Sequence, residues 1–571
     1  MEANFAKSAY RVFLIWGVFS SFCITVCTLV EAVMVGNLVG SDGLAVVSIA
    51  TPIFLVYALF GLTFGVGSGI MIGRRLGASD VDEANRLFSG GLVFCAFVGV
   101  LCTLLSAFFG DEICRFLGAK GDLFPLAKQY LTVVFLSAPL FIIYQFLSVS
   151  VRTDGDPKLA ALASAIVIVT NITLNIVFMR VLGWGIVGAS ASLCIATATG
   201  IVVLLFHFVK KHSLLRFQLS LPKFADLKSF AVNGFGVGSA YFFGAVVMLV
   251  FNVLLLESGN GVINVAIFGI IYTMSMVSFA VFDGAGNAVS TVVSIFAGEK
   301  DGRSMFVILR QGISTAVICG ALITLAFLLC ADWIVRFFGL SGEPSLTTAA
   351  FAFQIFSVSI IFTGINTVLT SFWQTIGRAK LAGTMSVIRN FVLMLVLGVA
   401  LISRYEIVGV GITYVCSELL CLAIGVAVMF FNGSKAYVAE KFQSPSRIYE
   451  KYYSIETESI AHIASDLDGL CEHWDVSGKQ RFFINLIVEE LLINIIKFGL
   501  ADSGKKCYIA IKLLDNDGEY IVRIRDNVRI YNPFDSDGDD IDRAAIKMIT
   551  KKAKYYDYQR KLIFNYLYLI I

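Results

Sequence analysis

Charge is what this sequence has least of. Only 15% of its 571 residues are Asp, Glu, Lys or Arg, against 57% hydrophobic residues. Ordinary soluble domains carry roughly a quarter charged residues, so the composition excludes a chain that is soluble along most of its length. Dense basic clusters are also missing, and the formal net charge is only +3, which argues against a nucleic-acid partner. The twelve cysteines include no pair at metal-ligand or redox spacing. They read as small core residues of apolar segments, and a zinc or thiol-redox centre is not expected. No small-residue cleavage site follows the first apolar run, so that run is expected to be a retained span and not a signal peptide.

What remains is long apolar sequence, with a mean hydropathy of +0.82. A membrane-spanning helix needs about 20 mostly apolar residues. About twelve such runs occur, near 12–35, 44–73, 88–109, 126–150, 158–181, 186–209, 230–256, 262–292, 307–330, 347–371, 380–402 and 405–431. The first six resemble the second six. Gly77 and Asp80 return as Gly298 and Asp301, Gly155 with Lys158-Leu159-Ala160 as Gly377 with Lys380-Leu381-Ala382, and Ile186-Val187-Gly188 as Ile407-Val408-Gly409. One spacing for all three matches indicates a duplicated bundle, and an even number of spans per half makes the repeat parallel. Basic residues separate by side. Arg74, Arg75, Arg86, Arg152, Lys158 and the run from Lys210 to Lys228, with their second-half counterparts, number about fifteen, against about six on the opposite side. This places the N-terminus and everything after 431 in the cytoplasm, and the protein in the cell (inner) membrane.

Ionisable groups at membrane depth are costly and are therefore functional candidates. Three stand out: Glu31 in the first span, Asp283 in the eighth and Glu418 in the twelfth. Each has a structural alternative. Glu31 can reach toward the extracellular end of its helix, Asp283 can cap a helix break among Gly284 and Gly286, and Glu418 can pair with a hydroxyl or with Arg389. A carboxylate in a partly desolvated cavity can exchange a proton or hold a dehydrated sodium ion, and it attracts a cationic substrate. Competition between ion and substrate for one such group is antiport. Gln145, Asn171 and Asn175 are the neutral candidates, the last two one turn apart on one helix face; interhelical hydrogen bonding is their structural alternative.

Several motifs resemble the multidrug and toxic compound extrusion (MATE) family: Val30-Glu31-Ala-Val-Met-Val-Gly36, Gly73-Arg74-Arg75-Leu-Gly77 with Glu83-Ala-Asn85-Arg86, Arg152-Thr-Asp154-Gly-Asp156-Pro157, and Gly183-Trp184-Gly185-Ile186-Val187-Gly188. The resemblance covers roughly residues 8 to 431. It implies two six-helix lobes, alternating access, and export of cationic amphipathic compounds driven by proton or sodium entry. Two departures bear on coupling. Glu31 stands where the family usually has Asp, and Asn171 is followed by Asn175-Ile176 where the family usually reads Asn-x-x-x-Asp-Pro. One N-lobe carboxylate is thus replaced by an amide, and coupling falls to Glu31 or to Asp283. The seventh and tenth spans carry no mid-membrane acid.

After Phe431 the composition becomes that of a soluble domain. Residues 457–474 and 478–499 are expected to be amphipathic helices, 507–514 and 519–526 a hairpin, 541–553 a third helix and 555–569 closing strands. Glu490 and Asn494 lie four apart on one helix face, and Asp526 ends a strand. This arrangement resembles the GHKL ATP-binding fold of anti-sigma-factor serine kinases. The resemblance implies ATP and magnesium, with Asn494 as the magnesium ligand. Two features oppose it: Val528 replaces the glycine expected two residues after Asp526, and the lid region reads Arg543-Ala544-Ala545, with Gly538 the only glycine near it.

The expected architecture is an all-α polytopic membrane protein with an N lobe (8–215), a C lobe (225–431), a linker (432–449) and a cytoplasmic α/β sandwich (450–571). The expected activity is proton- or sodium-coupled efflux of organic cations, with a regulatory tail that binds a cytoplasmic protein and no enzymatic turnover. The alternatives are a flippase for lipid-linked precursors, a membrane-tethered ATPase or serine kinase, and a small-molecule sensor.

Overall fold

In the computed structural model, contacts divide the chain into two compact units. The structure describes residues 4–119, 121, 123–210, 212–218, 220–259, 261–338, 343–431, 447–454, 459–499, 507–516, 518–535 and 540–571. The larger unit comprises residues 6–210 and 215–441; the smaller holds 442–571 together with 1–5 and 211–214.

The larger unit is helical. Its first half contains α1 (Asn4–Leu38), α2 (Ser41–Gly77), α3 (Val81–Phe116), α4 (Leu123–Leu136), α5 (Ala138–Thr153), α6 (Pro157–Asn175) and α7 (Gly185–Val209); a π-helical segment, Ile176–Val181, extends α6. The second half contains α8 (Phe224–Leu256), α9 (Gly261–Gly298), α10 (Gly302–Phe337), α11 (Glu343–Thr375), α12 (Ala379–Val387) and α13 (Met394–Phe431), with π-helix Ile388–Leu393 joining the last two. Among the described residues, ten helices are long and apolar enough to cross a membrane, or eleven if the bent pair α4 and α5 is one span. Large apolar side chains such as Phe108 and Phe116 lie exposed on the outside of the bundle, as a lipid-facing surface requires.

Two irregularities account for the span count. The fourth apolar run bends by 47° between α4 and α5. Pro139 has no N–H to offer the Phe135 carbonyl, and Thr103 Oγ1 donates to that carbonyl instead at 2.8 Å. The chain from Ala379 to Phe431 contains a sharp reversal at Glu406 (φ 49°, ψ −127°). Beyond it Gly409 lies against the backbone of Leu401 and Ile402, an approach impossible in a straight helix, where residues eight apart are about 12 Å apart.

The duplication seen in the sequence is present in the backbone. α3 and α10 are both 36 residues long. Each follows a turn with a left-handed residue, Ser79 (φ 63°) or Lys300 (φ 59°). Each is capped by an aspartate: Asp80 accepts from the Glu83 N–H and Asp301 from the Ser304 N–H. Gly155 and Gly377 adopt φ 92° and 93° at equivalent turns.

The halves meet at the end of the bundle that carries Arg74, Arg75 and Arg86. Backbones touch there because glycines replace side chains. Gly234 of α8 faces the Thr63 carbonyl of α2, Gly77 of α2 faces the Ile295 carbonyl of α9, and Gly284 of α9 faces Gly17 and Val18 of α1. Arg74 of the first half also donates to the Thr375 carbonyl of the second. The glycines around Asp283 therefore serve close packing; α9 runs unbroken through them, so the helix break considered from sequence is absent.

The smaller unit contains a five-stranded antiparallel sheet, β1 (Arg447–Ser454), β2 (Tyr508–Asn516), β3 (Glu519–Asp526), β4 (Tyr555–Lys561) and β5 (Phe564–Ile570), in the order β1-β2-β3-β5-β4. Helices α14 (Ser459–His473), α15 (Gly478–Asn494) and α16 (Asp540–Lys552) share one core with it, in which Ile463, Ile487, Leu491 and Ile549 meet Ile511, Val522, Ile524 and Leu567. Gly518 (φ 88°) closes the β2–β3 turn and donates to Asp515 Oδ1 at 3.0 Å. The expected order of helices, hairpin and closing strands holds. One element differs: β1 begins at Arg447, inside the segment expected to be linker. Most of that linker, 432–446, and Gly538 of the lid lie outside the described residues, as do the side chains of Arg543, Ala544 and Ala545.

Candidate functional site

Glu31 lies two turns from the end of α1, 7% exposed. Its one hydrogen bond among the described residues comes from Tyr130 Oη of α4, at 3.4 Å, and no basic side chain there lies within ion-pair distance. One turn earlier, Cys27 Sγ donates to Asn171 Oδ1 of α6 at 3.9 Å, and Asn175 Nδ2 donates to the same oxygen at 3.1 Å. Ser20 meets Ser164 at 2.8 Å seven residues back on both helices, so α1 and α6 run in the same direction and in register. Both asparagines are fully buried. Among the described residues Asn171 Nδ2 and Asn175 Oδ1 have no hydrogen-bond partner, at a cost of roughly 1–3 kcal/mol each unless something polar enters. Where Asn175-Ile176 replaces the family's Asp-Pro, the helix widens into its π segment instead of kinking at proline.

The other two carboxylates are engaged. Asp283 accepts from Ser21 Oγ of α1 at 2.7 Å and from Asn287 Nδ2 at 3.0 Å, with the Arg152 guanidinium within electrostatic reach. It thus sits at the junction of the halves, away from the Glu31 cluster. Glu418 is ion-paired with Arg389 at 2.9 Å and accepts from Asn366 Nδ2 at 2.7 Å; the same guanidinium donates to Thr367 Oγ1 and the Thr363 carbonyl. That pairing is one of the two readings the sequence left open. Gln145 is half-buried against Gly61 of α2 and makes no polar contact with the Glu31 cluster among the described residues. Sequence reasoning missed Tyr130 and Cys27. Cys27 was detectable, because it lies one helical turn from Glu31. It also placed Arg152 in a loop, whereas it occupies the last turn of α5.

In the smaller unit, Asn494 Nδ2 donates to the Glu490 carbonyl at 2.8 Å, and Asn494 Oδ1 accepts from Tyr531 Oη at 3.4 Å. Glu490 is half-buried on the same helix. Asp526 is buried, accepting from Asn565 Nδ2 at 2.7 Å and from the Val528 N–H at 3.1 Å. Burial pushes its carboxyl up to about 6, against the opposing pull of these hydrogen bonds. Val528 is itself buried and packs against Gly499. Two of the three residues nominated for nucleotide are thus hydrogen-bonded within the fold: Asn494 with its own helix and Tyr531, Asp526 with Asn565.

Comparison with known proteins bears on the helical unit as a whole. The MatE family profile matches residues 18–177 and 239–400, more than half of the chain. The multidrug export protein MepA of Staphylococcus saprophyticus is 24% identical over 401 residues, covering 69% of this chain and 87% of MepA. MepA of Staphylococcus aureus MRSA252 is 24% identical over 400 residues with the same coverage. Among solved structures, an outward-facing multidrug resistance MATE family transporter of the MOP superfamily superposes with a TM-score of 0.71 at 22% identity, covering 76% of this chain and 96% of that one. A MOP superfamily transporter from Pyrococcus furiosus gives 0.69 at 22% identity, covering 77% and 97%. At that identity the structures speak for the fold alone. With the profile spanning both halves of the bundle, this chain is a multi-pass membrane protein belonging to the MatE family.

Proposed function

We propose that the protein exports small amphipathic organic cations by antiport against protons or sodium, with Glu31 as the coupling carboxylate. One observation carries this reading. Of the three acids at membrane depth, Glu31 alone is buried without a cationic neighbour among the described residues, whereas Asp283 lies within electrostatic reach of Arg152 and Glu418 is ion-paired with Arg389. An uncompensated buried carboxylate is unfavourable until a proton, a metal cation or a cationic substrate joins it, so these three compete for one place. The unpartnered amide atoms of Asn171 and Asn175 supply further polar contacts nearby. The names of the MepA relatives, multidrug export proteins, support the substrate class.

Counting the bent pair α4 and α5 as one span and the reversal at Glu406 as a boundary gives twelve spans, six per lobe, with lobe limits near 8–215 and 225–431. The end rich in basic residues faces the cytoplasm in this reading, by the charge bias of the loops. The lobes touch at that end, through Gly77 on the Ile295 carbonyl and Arg74 on the Thr375 carbonyl. The tail, from about 450, acts as a regulatory module of degenerate GHKL type that contacts a cytoplasmic protein. Asn494 is hydrogen-bonded to its own helix and to Tyr531, Asp526 is bonded through Oδ1 to Asn565, and buried Val528 stands where the resemblance expects glycine, so this reading assigns the tail no nucleotide.

The test is efflux of a fluorescent cationic dye from proteoliposomes under imposed proton or sodium gradients without ATP. Wild type exports the dye with one gradient, and Glu31→Gln loses at least tenfold in rate. Equal gradient-driven efflux by both proteins would remove Glu31 from the coupling step, and no efflux from folded wild type would remove the reading itself.

A further inference from the structure

The two lobes are joined by the stretch between α7 and α8, and its placement is unusual for a tether. Its described residues from Leu215 to Gln218 and from Ser220 to Lys223 lie along the N lobe, fastened at successive points. The Leu215 N–H donates to Asp154 Oδ2 at 3.1 Å, the Arg216 N–H to Asn85 Oδ1 at 2.7 Å and the Gln218 N–H to Ser89 Oγ at 2.8 Å. Ser220 Oγ donates to the Arg86 carbonyl at 3.4 Å, and Pro222 crosses α3 where Gly90 leaves room for it. Arg86 then forms an ion pair at 2.7 Å with Asp226, in the first turn of α8, while also bonding Glu83. Asp154 is held from behind by buried His207 at 2.7 Å.

Nearly all the anchoring side chains belong to two motifs that the coupling site does not use. Asn85 and Arg86 come from Glu83-Ala-Asn85-Arg86, and Asp154 from Arg152-Thr-Asp154-Gly-Asp156-Pro157. We propose that these motifs clamp the inter-lobe segment to the N lobe and make it the hinge of lobe exchange. The start of α8 stays tied to α3 through Arg86 and Asp226, while the glycine seam between α2 and the helices α8 and α9 opens and closes.

The energetic contrast favours this division of labour. Three backbone N–H groups of the strap are satisfied by side chains of the N lobe, and detaching it leaves those groups to find new partners. The seam is held largely by backbone packing at glycines, with Arg74 on the Thr375 carbonyl and Ser21 on Asp283 adding side-chain bonds across it. Hinges are short segments at element ends that absorb backbone rotation while the packed bodies move. The strap sits at such a place, between the last turn of α7 and the first of α8.

Two disulfides separate hinge from seam. A Cβ on Gly90 would lie 3.4 Å from the Pro222 Cβ, and a Cβ on Gly238 would lie 3.2 Å from the Thr63 Cβ. Both approach the roughly 3.5–4.5 Å of a disulfide. In a background lacking reactive native cysteines, oxidised Gly90→Cys/Pro222→Cys, which locks the strap, is expected to keep at least half of the dye efflux of its reduced form. Oxidised Thr63→Cys/Gly238→Cys, which locks the seam, is expected to lose at least tenfold and to recover with reductant. A strap lock that stops efflux as the seam lock does would overturn the hinge, and so would a seam lock without effect. The inference rests on the transport reading for this assay only. Spin labels at exposed positions, Asp82→Cys/Phe217→Cys for the strap and Ala78→Cys/Lys300→Cys for the seam, read the same geometry without any dye. One distance population at the strap and two at the seam are expected. Two populations at the strap contradict the hinge even if no dye moves, whereas absent efflux with the expected distances contradicts only the transport reading.

Discussion

Removing Arg389 tests whether the C-lobe ion pair is structural. In Arg389→Met the side-chain volume is largely kept, but Glu418 loses its counter-ion, and Thr367 and the Thr363 carbonyl lose their donor. Both partners are about nine-tenths buried. Breaking a buried pair by removing one member costs about 3–5 kcal/mol, most of it from the charge left behind. Adding Glu418→Gln removes that charge, and the amide oxygen can still accept from Asn366. The double variant is therefore expected to recover more than half of the loss, a coupling of about 2 kcal/mol or more. In detergent, the temperature at which the monodisperse protein is half lost reads this directly. A drop of roughly 5 °C is expected for the single variant and about 2 °C for the double, scaling from the shift per kcal/mol of large domains. The double variant should also retain gradient-driven efflux. Additive losses, or a double variant worse than Arg389→Met, would refute the reasoning; efflux lost in a well-folded double variant would move coupling into the C lobe.

Other expectations follow from the same geometry. Gly234→Leu places a side chain against the Thr63 carbonyl, so the seam should fail to close, and oxidative cross-linking of the Ala78→Cys/Lys300→Cys pair should fall several-fold at unchanged yield of folded protein. In the tail, burial raises Asp526 from 3.8 to about 6. The native state then binds more protons than the unfolded one between these values, so the contribution of this carboxyl falls as pH rises through that window and costs about 3 kcal/mol above it. Asp526→Asn keeps an acceptor for Asn565 and Val528, and should slow hydrogen exchange in β3 and β5 near neutral pH while flattening its pH dependence after correction for intrinsic exchange; faster exchange at neutral pH would contradict this. Titration with ATP and magnesium should show no binding up to millimolar nucleotide, and saturable binding lost in Asn494→Ala would restore the nucleotide reading.

The sequence disclosed the membrane bundle and its duplication because both rest on long-range composition and on turns whose conformation is local. Ser79 and Lys300 take left-handed angles beside capping aspartates in both halves, and those turns carry the matching residues. The tail's order of elements was also legible from alternation and the Asp515–Gly518 turn. β1 was not, since Arg447–Ser454 mixes charged residues and tyrosines without alternation and becomes a strand only by pairing with β2. The site was legible by residue type but not by partner. The sequence offered Arg389 as one possible partner of Glu418 but gave no sign that Arg152 lies near Asp283 or that Glu31 has no cation beside it among the described residues, since these neighbours are brought in by other helices. The glycines beside Asp283 signal a break and close packing equally well, and only the approach of α1 decides between them.

Dye affinity as a function of proton and sodium concentration tests the central claim most directly, because competition for one carboxylate is an equilibrium property. In wild-type protein, raising the coupling ion should weaken cationic dye binding about tenfold per decade of ion once the site is saturated, the slope expected for one-for-one exchange. Glu31→Gln should bind more weakly and show no such slope, while Asp283→Asn and the Arg389→Met/Glu418→Gln double variant keep it. An unchanged slope in Glu31→Gln would contradict the account and place the competition at another group.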